Sequence, residues 1–270
     1  MSLLLQISDT HFGTERPNVV EALLRMASEQ VPDIVVLSGD ITQRARRSQF
    51  KAARAFVDRM APPAMLAIPG NHDIPLFNLV ARMFAPYANH QREFGADLEP
   101  IFDSADFLVI GVNTTRPSRH KNGEVSVEQI ERVSRRLQQA TRNQLRIVVT
   151  HQPVHVTRSE DERNVLRNAD EAVQAWVKAG ADLLLGGHIH LPYVRPLKDR
   201  LDDLPRDAWV VQAGTAVSSR VRSEAPNSVN LIRSSSTDKL SRCFIERWDY
   251  SASTHFFEFV DRTEMLLDRV

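Results

Sequence analysis

Six short and nearly continuous apolar runs, at residues 3–7, 34–37, 64–68, 107–112, 145–149 and 181–185, punctuate the first two thirds of the chain. Runs of Val, Ile and Leu without polar alternation predict strands covered on both faces, as in sheets flanked by helices. Between them the period changes. Residues 47–60 repeat apolar positions at Phe50, Ala53, Val57 and Met60, which predicts a helix. Ser126-Val-Glu-Gln129 has the form of a capping box, and Ile130, Val133 and Leu137 then supply one apolar face. Residues 168–179 give a third helix through Ala172, Val173, Trp176 and Val177, ended by Gly180. After Pro205 the pattern becomes strand-only, with strands at 208–212, 227–232, 239–248 and 255–260. The expected fold is an α/β sandwich with mixed pairing. Residues 1–270 form a single domain in this reading, and residues 205–270 make its strand-rich part.

Composition narrows the function classes. The chain of 270 residues carries 34 Lys+Arg against 34 Asp+Glu, a formal net charge of zero. That balance argues against a basic nucleic-acid coat or an acidic disordered tail, so no nucleic-acid polymer is expected as partner. The single cysteine, Cys243, excludes a disulfide within the chain and a thiolate metal cluster, and its strand context predicts a small core residue. The start of the chain lacks a basic leader, and no stretch approaches about 18 uninterrupted apolar residues. A cytoplasmic protein with no membrane span is the expectation.

Candidate chemistry collects where the predicted strands end. The first leads to Asp9-Thr-His11, the second to Gly39-Asp40, and the third to Gly70-Asn71-His72-Asp73. The fifth leads to His151, and the sixth to Gly186-Gly187-His188-Ile-His190. Ligands of open α/β sheets gather beyond the carboxyl ends of strands. One such block is an ordinary polar turn, whereas five in succession point to one shared centre. Its donors are nitrogen and oxygen without sulfur, which suits Mn, Fe, Zn or a related divalent ion.

Together these blocks resemble the signature of the calcineurin-like metallophosphoesterases, spanning residues 9–190. Ile-Ser-Asp-Thr-His, Pro-Gly-Asn-His-Asp and Gly-Gly-His-Ile-His are most similar to the bacterial class III cyclic-nucleotide phosphodiesterases. The resemblance implies a four-layer α/β/β/α sandwich of two mixed β-sheets flanked by helices. It implies two divalent metal ions, one on Asp9, His11, Asp40 and His190, the other on Asp40, Asn71, His151 and His188. Asp40 would bridge them, and a hydroxide between the ions would be the nucleophile. It makes His72 the residue that contacts the phosphate and protonates or stabilises the leaving oxygen. Asp73 then orients the His72 imidazole or, alternatively, caps the turn before Ile74-Pro75.

The implied substrate is a small phosphate ester, a phosphodiester such as a cyclic nucleotide. A phosphomonoesterase or a phospholipid or nucleotide-sugar pyrophosphatase is the alternative, ahead of a nuclease or a non-catalytic scaffold. Asn113, ending another strand before Thr114-Thr115, is placed at the substrate edge. In the 114–124 loop, Arg116, Arg119, His120 and Lys121 either steer an anion or only solvate the loop. The 215–226 loop offers Arg220 and Arg222, one of which is expected to face the substrate. Phe77, Phe84 and Tyr87, spaced by 7 and 3, are expected to form the core stripe of a helix rather than to stack on a base. His155 is expected to be solvated. Pairing of the C-terminal strands offers a route to a homodimer.

Overall fold

The apolar runs become the inner strands of two six-stranded sheets. The computed structural model describes residues 2–222, 225–237 and 240–267, without the side chains of 235–241. In chain order it holds β1 (Ser2–Ile7), α1 (Pro17–Gln30), β2 (Ile34–Ser38), α2 (Arg47–Met60), β3 (Met65–Ile68), α3 (Leu79–Phe84) and α4 (Ala88–Phe94). Then come β4 (Ile101–Asp103), β5 (Phe107–Gly111), α5 (Val127–Gln138), β6 (Leu145–Val149), α6 (Ala169–Lys178) and β7 (Leu183–Gly186). The chain continues through β8 (Tyr193–Pro196), β9 (Trp209–Gln212), β10 (Ser228–Thr237), β11 (Leu240–Ser251) and β12 (Phe256–Leu267). The start of the third expected C-terminal strand, Lys239, lies outside the described residues, as do Ser223 and Glu224 of the 215–226 loop.

One sheet runs β12–β11–β10–β1–β2–β3, the other β4–β5–β6–β7–β9–β8. β1, β2 and β3 are parallel, as are β5, β6, β7 and β9. Antiparallel strands extend both sheets: β10, β11 and β12 in the first, β4 and β8 in the second. The mixed pairing expected from the sequence is therefore present, but residues 208–212 pair in the second sheet, away from the C-terminal hairpins.

Alternation along each strand explains why the runs are nearly continuously apolar. Leu4, Val36 and Ile68 face inward, where they pack with Val109, Ile147, Val149 and Leu185 of the other sheet. Leu3, Leu5, Ile7 and Leu37 face outward, against Leu23 of α1 and Val57 of α2. Leu108, Ile110 and Leu184 face outward on the far side, against Val133 of α5 and Trp176 of α6. The result is the four-layer α/β/β/α arrangement. Cys243 is buried in the layer between the sheets. The α5 capping box is formed: the Gln129 N–H donates to Ser126 Oγ, and the Ser126 N–H donates to Gln129 Oε1.

Trp176 is fully buried, and its indole N–H donates to the Ile130 carbonyl of α5. Trp176→Ala is expected to cost about 3–5 kcal/mol of stability, read as a lowered urea midpoint. A loss below about 1 kcal/mol would show that α6 is not held by this side chain.

Two expectations are corrected. Phe77 and Phe84 are not core residues: they are 76% and 79% exposed, since Phe77 lies ahead of α3 and α3, with only six residues, buries none of its own. Tyr87 is half-buried, with its hydroxyl on Thr115. His155 is buried rather than solvated, its carbonyl accepting from the Tyr193 hydroxyl, and burial lowers its pKa. Among the described residues no helix is long and apolar enough to cross a membrane.

Candidate metal centre

The parallel strands deliver their carboxyl ends to one edge of the sandwich. Asp9 and His11 follow β1, Asp40 follows β2, and Asn71 and His72 lie in a 3-10 turn after β3. From the second sheet, His151 follows β6, while His188 and His190 follow β7. The loops are laced together by their backbones. The Asp9 N–H donates to the Gly39 carbonyl (3.1 Å), that of His11 to Asp40 (3.0 Å), and that of Gly187 to His151 (2.9 Å).

Five of these residues adopt left-handed backbone: Asp9 (φ 51°), His11 (42°), Asp40 (48°), His188 (73°) and His190 (55°). Such conformations are uncommon outside glycine and persist where the surroundings enforce them. Here they turn successive side chains toward one point. Two glycines permit the crowding. Gly39 sits at φ 96° with the His151 ring packed where a Cβ would lie, and a Cβ on Gly187 would collide with Ser8 Oγ.

The resulting cluster is tight and buried. His190 Nε2 lies 3.2 Å from Asp9 Oδ1 and 3.1 Å from His11 Nε2, and His11 Nε2 is 3.8 Å from Asp40 Oδ2. On the other side of Asp40, its Oδ1 is 3.3 Å from His151 Nε2. Asp9, His11 and His190 thus form one group able to hold a metal ion, and Asp40, His151 and His188 another. The rings are aimed from behind. His151 Nδ1 meets the Ser38 carbonyl at 3.0 Å, and His190 Nδ1 meets the Arg220 carbonyl at 2.6 Å. A carbonyl only accepts, so each Nδ1 carries the proton and each Nε2 is left to face the centre.

The donor set fits divalent ions. Asp9 Oδ1, Asn71 Oδ1 and both ring nitrogens of His188 are buried without a hydrogen-bond partner. Buried polar atoms are normally satisfied, so orphans converging from three loops mark a place for cations. The two Nε2 atoms of His11 and His190, facing at 3.1 Å, make the same point. All donors are nitrogen or oxygen, as expected for Mn, Fe or Zn.

The electrostatics agree. Burial drives His11 and His188 down to about 3, so both imidazoles are neutral donors near neutral pH. Burial also opposes charge on His151, but the Asp40 carboxylate outweighs it and lifts His151 to about 9. His190 is raised in the same way by Asp9. Below about pH 9 a metal ion must displace the His151 proton, so affinity is expected to rise with pH and loading to release protons. Calorimetric titration with Mn in buffers of different ionisation heats measures that release. Affinity independent of pH from 6 to 9 would contradict it.

A family model described as calcineurin-like phosphoesterase matches residues 3–192. The chain belongs to that family. Among curated relatives, a probable cyclic nucleotide phosphodiesterase of Synechococcus is 24% identical over 170 residues, 62% of this chain and 61% of that one. The chain therefore matches less than two thirds of that relative's length. The 3′,5′-cyclic adenosine monophosphate phosphodiesterase CpdA of Escherichia coli is 26% identical over 199 residues, 69% of each chain. In fold, the chain is similar to a dimetal phosphatase from Danio rerio, with a TM-score of 0.67, 14% identity and 99% of both chains covered.

In this calcineurin-like phosphoesterase the remaining predicted residues fall in different places. Asp40, Asn71, His72, His188, His190, Arg220 and Arg222 all border one open cleft of about 740 Å³. His72 Nδ1 faces the Gln43 carbonyl at 3.0 Å, and its Nε2 faces Arg220 Nη1 at 3.4 Å. Asp73 does not orient that ring. Its carboxylate accepts from the N–H groups of Gly70 (2.9 Å), Ile41 (3.0 Å) and Thr42 (2.8 Å) and from Thr42 Oγ1 (2.8 Å). It is a latch between the β2 and β3 loops, and burial together with the Asp40 charge raises its pKa to about 6.

Asn113 does not reach the cleft, because its Oδ1 accepts from the Thr115 N–H and hydroxyl in a local turn. Arg222 borders the cleft but is neutralised by Glu160 (2.6 Å) and Asp161 (2.9 Å). Arg119 pairs with Glu124 and Arg116 reaches Gln129, leaving His120 and Lys121 of that loop on the cleft. Gln43, which anchors both His72 and Arg220, has no sequence signal beyond lying three residues after Asp40.

Proposed function

We propose that this protein is a dinuclear-metal phosphodiesterase acting on a small anionic ester such as a cyclic nucleotide. The observation that carries the proposal is the pair of ligand groups on either side of Asp40, opening into one cleft. One ion would rest on Asp9, His11, Asp40 and His190, the other on Asp40, Asn71, His151 and His188. Such ions supply Lewis-acid charge and an activated water near neutral pH.

The chain's own residues do the rest. Asn71 is neutral, so the ligand set carries only the charges of Asp9 and Asp40 and leaves the loaded site attractive to an anion. Arg220, held by Gln43, offers a guanidinium to a phosphate oxygen beside His72. His72, fixed by the Gln43 carbonyl, stands at the cleft edge to deliver a proton to the leaving oxygen. The two bacterial relatives named as cyclic-nucleotide phosphodiesterases support the diester reading.

With Mn supplied, bis-p-nitrophenyl phosphate is expected to be cleaved at least about tenfold faster than p-nitrophenyl phosphate, and cyclic AMP to be hydrolysed. The reverse ratio would replace the diesterase reading by a phosphomonoesterase. No turnover with bound metal would reject hydrolysis.

A further inference from the structure

The segment between the Asn-His-Asp turn and α4 carries an apolar surface that phosphoester chemistry does not require. Leu76, Phe77, Leu79, Val80, Met83 and Phe84 are 38–79% exposed, and α3 buries no residue. Single exposed apolar side chains are ordinary, but six within nine positions form a patch of the kind that marks an interaction site. The charge around it has one sign. Residues 74–92 contain no Asp or Glu but hold Arg82 and Arg92. From the β2 loop, the Arg44 guanidinium lies over the Phe77 ring, 5.3 Å from its centre. The patch also adjoins the cleft: Leu76, Arg44 and Arg82 line a small cavity together with Asn71 and His72.

We propose that this collar docks on an anionic lipid bilayer. Phe77, Met83 and Phe84 enter the interfacial layer, and Arg44 and Arg82 meet head-group phosphates, the pairing of apolar and basic residues that interfacial segments use. Charge complementarity selects this occupant. A second copy bound through the same face would set Arg44 and Arg82 against their own counterparts with no acid to offset them, whereas an anionic bilayer offers the opposite sign. Docked this way, the cleft mouth opens beside the head-group layer. The inference stands independently of which ester is cleaved.

The test is sedimentation with vesicles of phosphatidylcholine alone or with about one third phosphatidylglycerol, read beside light scattering. The protein is expected to sediment with the anionic vesicles and to be released by high salt. The combined variant Phe77→Ser, Met83→Ser, Phe84→Ser is expected to bind at least about tenfold more weakly, as is Arg44→Glu. The serine variant keeps hydrolysis of soluble bis-p-nitrophenyl phosphate, and both variants keep the wild-type circular dichroism spectrum and melting temperature, which shows that they are folded. Failure of the wild type to sediment would overturn the proposal. So would serine variants that bind equally well, or a wild-type dimer that the serine variant converts to monomer.

Discussion

Asp40→Asn is expected to lower turnover by about 10⁴-fold or more, ~5.5 kcal/mol in the barrier, and to leave the protein short of metal. Asp40 faces both candidate ligand groups: Oδ1 lies 3.3 Å from His151 Nε2, and Oδ2 lies 3.8 Å from His11 Nε2. Its Oδ1 also accepts the His72 N–H at 2.7 Å, which joins the β2 loop to the β3 loop. Asparagine keeps the size and tolerates the left-handed backbone at φ 48°, so the fold should persist. What it removes is a negative charge and one set of lone pairs. The substitution is therefore a test of chemistry rather than of folding. Metal analysis and Mn-dependent turnover decide it: two ions per chain with activity within about tenfold of wild type would deny Asp40 a bridging role.

His72→Ala should separate proton delivery from metal binding. The side chain lies near the ligands, with its ring 4.9 Å from that of His11, and it groups with His11 and Asp40. Yet its Nδ1 is engaged by the Gln43 carbonyl at 3.0 Å, and its Nε2 faces the Arg220 guanidinium at 3.4 Å. The variant is expected to retain its metal and to lose about 10²–10⁴-fold in turnover of an ester with a poor leaving group. With the well-activated p-nitrophenolate the loss should be smaller, since that group departs without a proton. Near-normal activity on the poor leaving group would remove His72 from proton transfer. Loss of metal would move it into the ligand set.

The fold was legible where the chain meets helices on one side and strands on the other. Leu3, Leu4 and Leu5, and likewise Ile147, Val148 and Val149, are apolar at consecutive positions because each strand packs on both faces. The gathering of Asp9, Asp40, His151 and His188 at one edge was legible too, since parallel strands must point their carboxyl ends the same way. Short edge strands left no such trace: β4 and β8 bury little, and a three- or four-residue strand carries hardly one period. α1 has no counterpart among the predicted elements, although Val19, Val20, Leu23 and Met26 recur at helical spacing.

Misplacements have local causes. Phe77 and Phe84 share a spacing with core stripes, but spacing defines a face and not what covers it. Asp73 adjoins His72 in sequence, but neighbouring side chains in a 3-10 turn diverge by about 120°, so His72 reaches the cleft while Asp73 reaches Thr42. Asn113 sits at a strand end like the others, yet an Asx turn folds its oxygen back onto Thr115.

The two sheets contribute to the centre in almost equal parts, through chain segments that stand about eighty residues apart, from Asn71 to His151, and they are otherwise joined mainly by the apolar inter-sheet layer. Ions held there would act as a clasp at one end of a hinge. Heat resistance would then depend on free metal concentration, gaining about 2.7 kcal/mol when the metal stands at a hundred times its dissociation constant. A melting temperature taken in chelator and one taken in Mn would describe two different objects. Hydrogen exchange should find the unclasped end of the sandwich opening first.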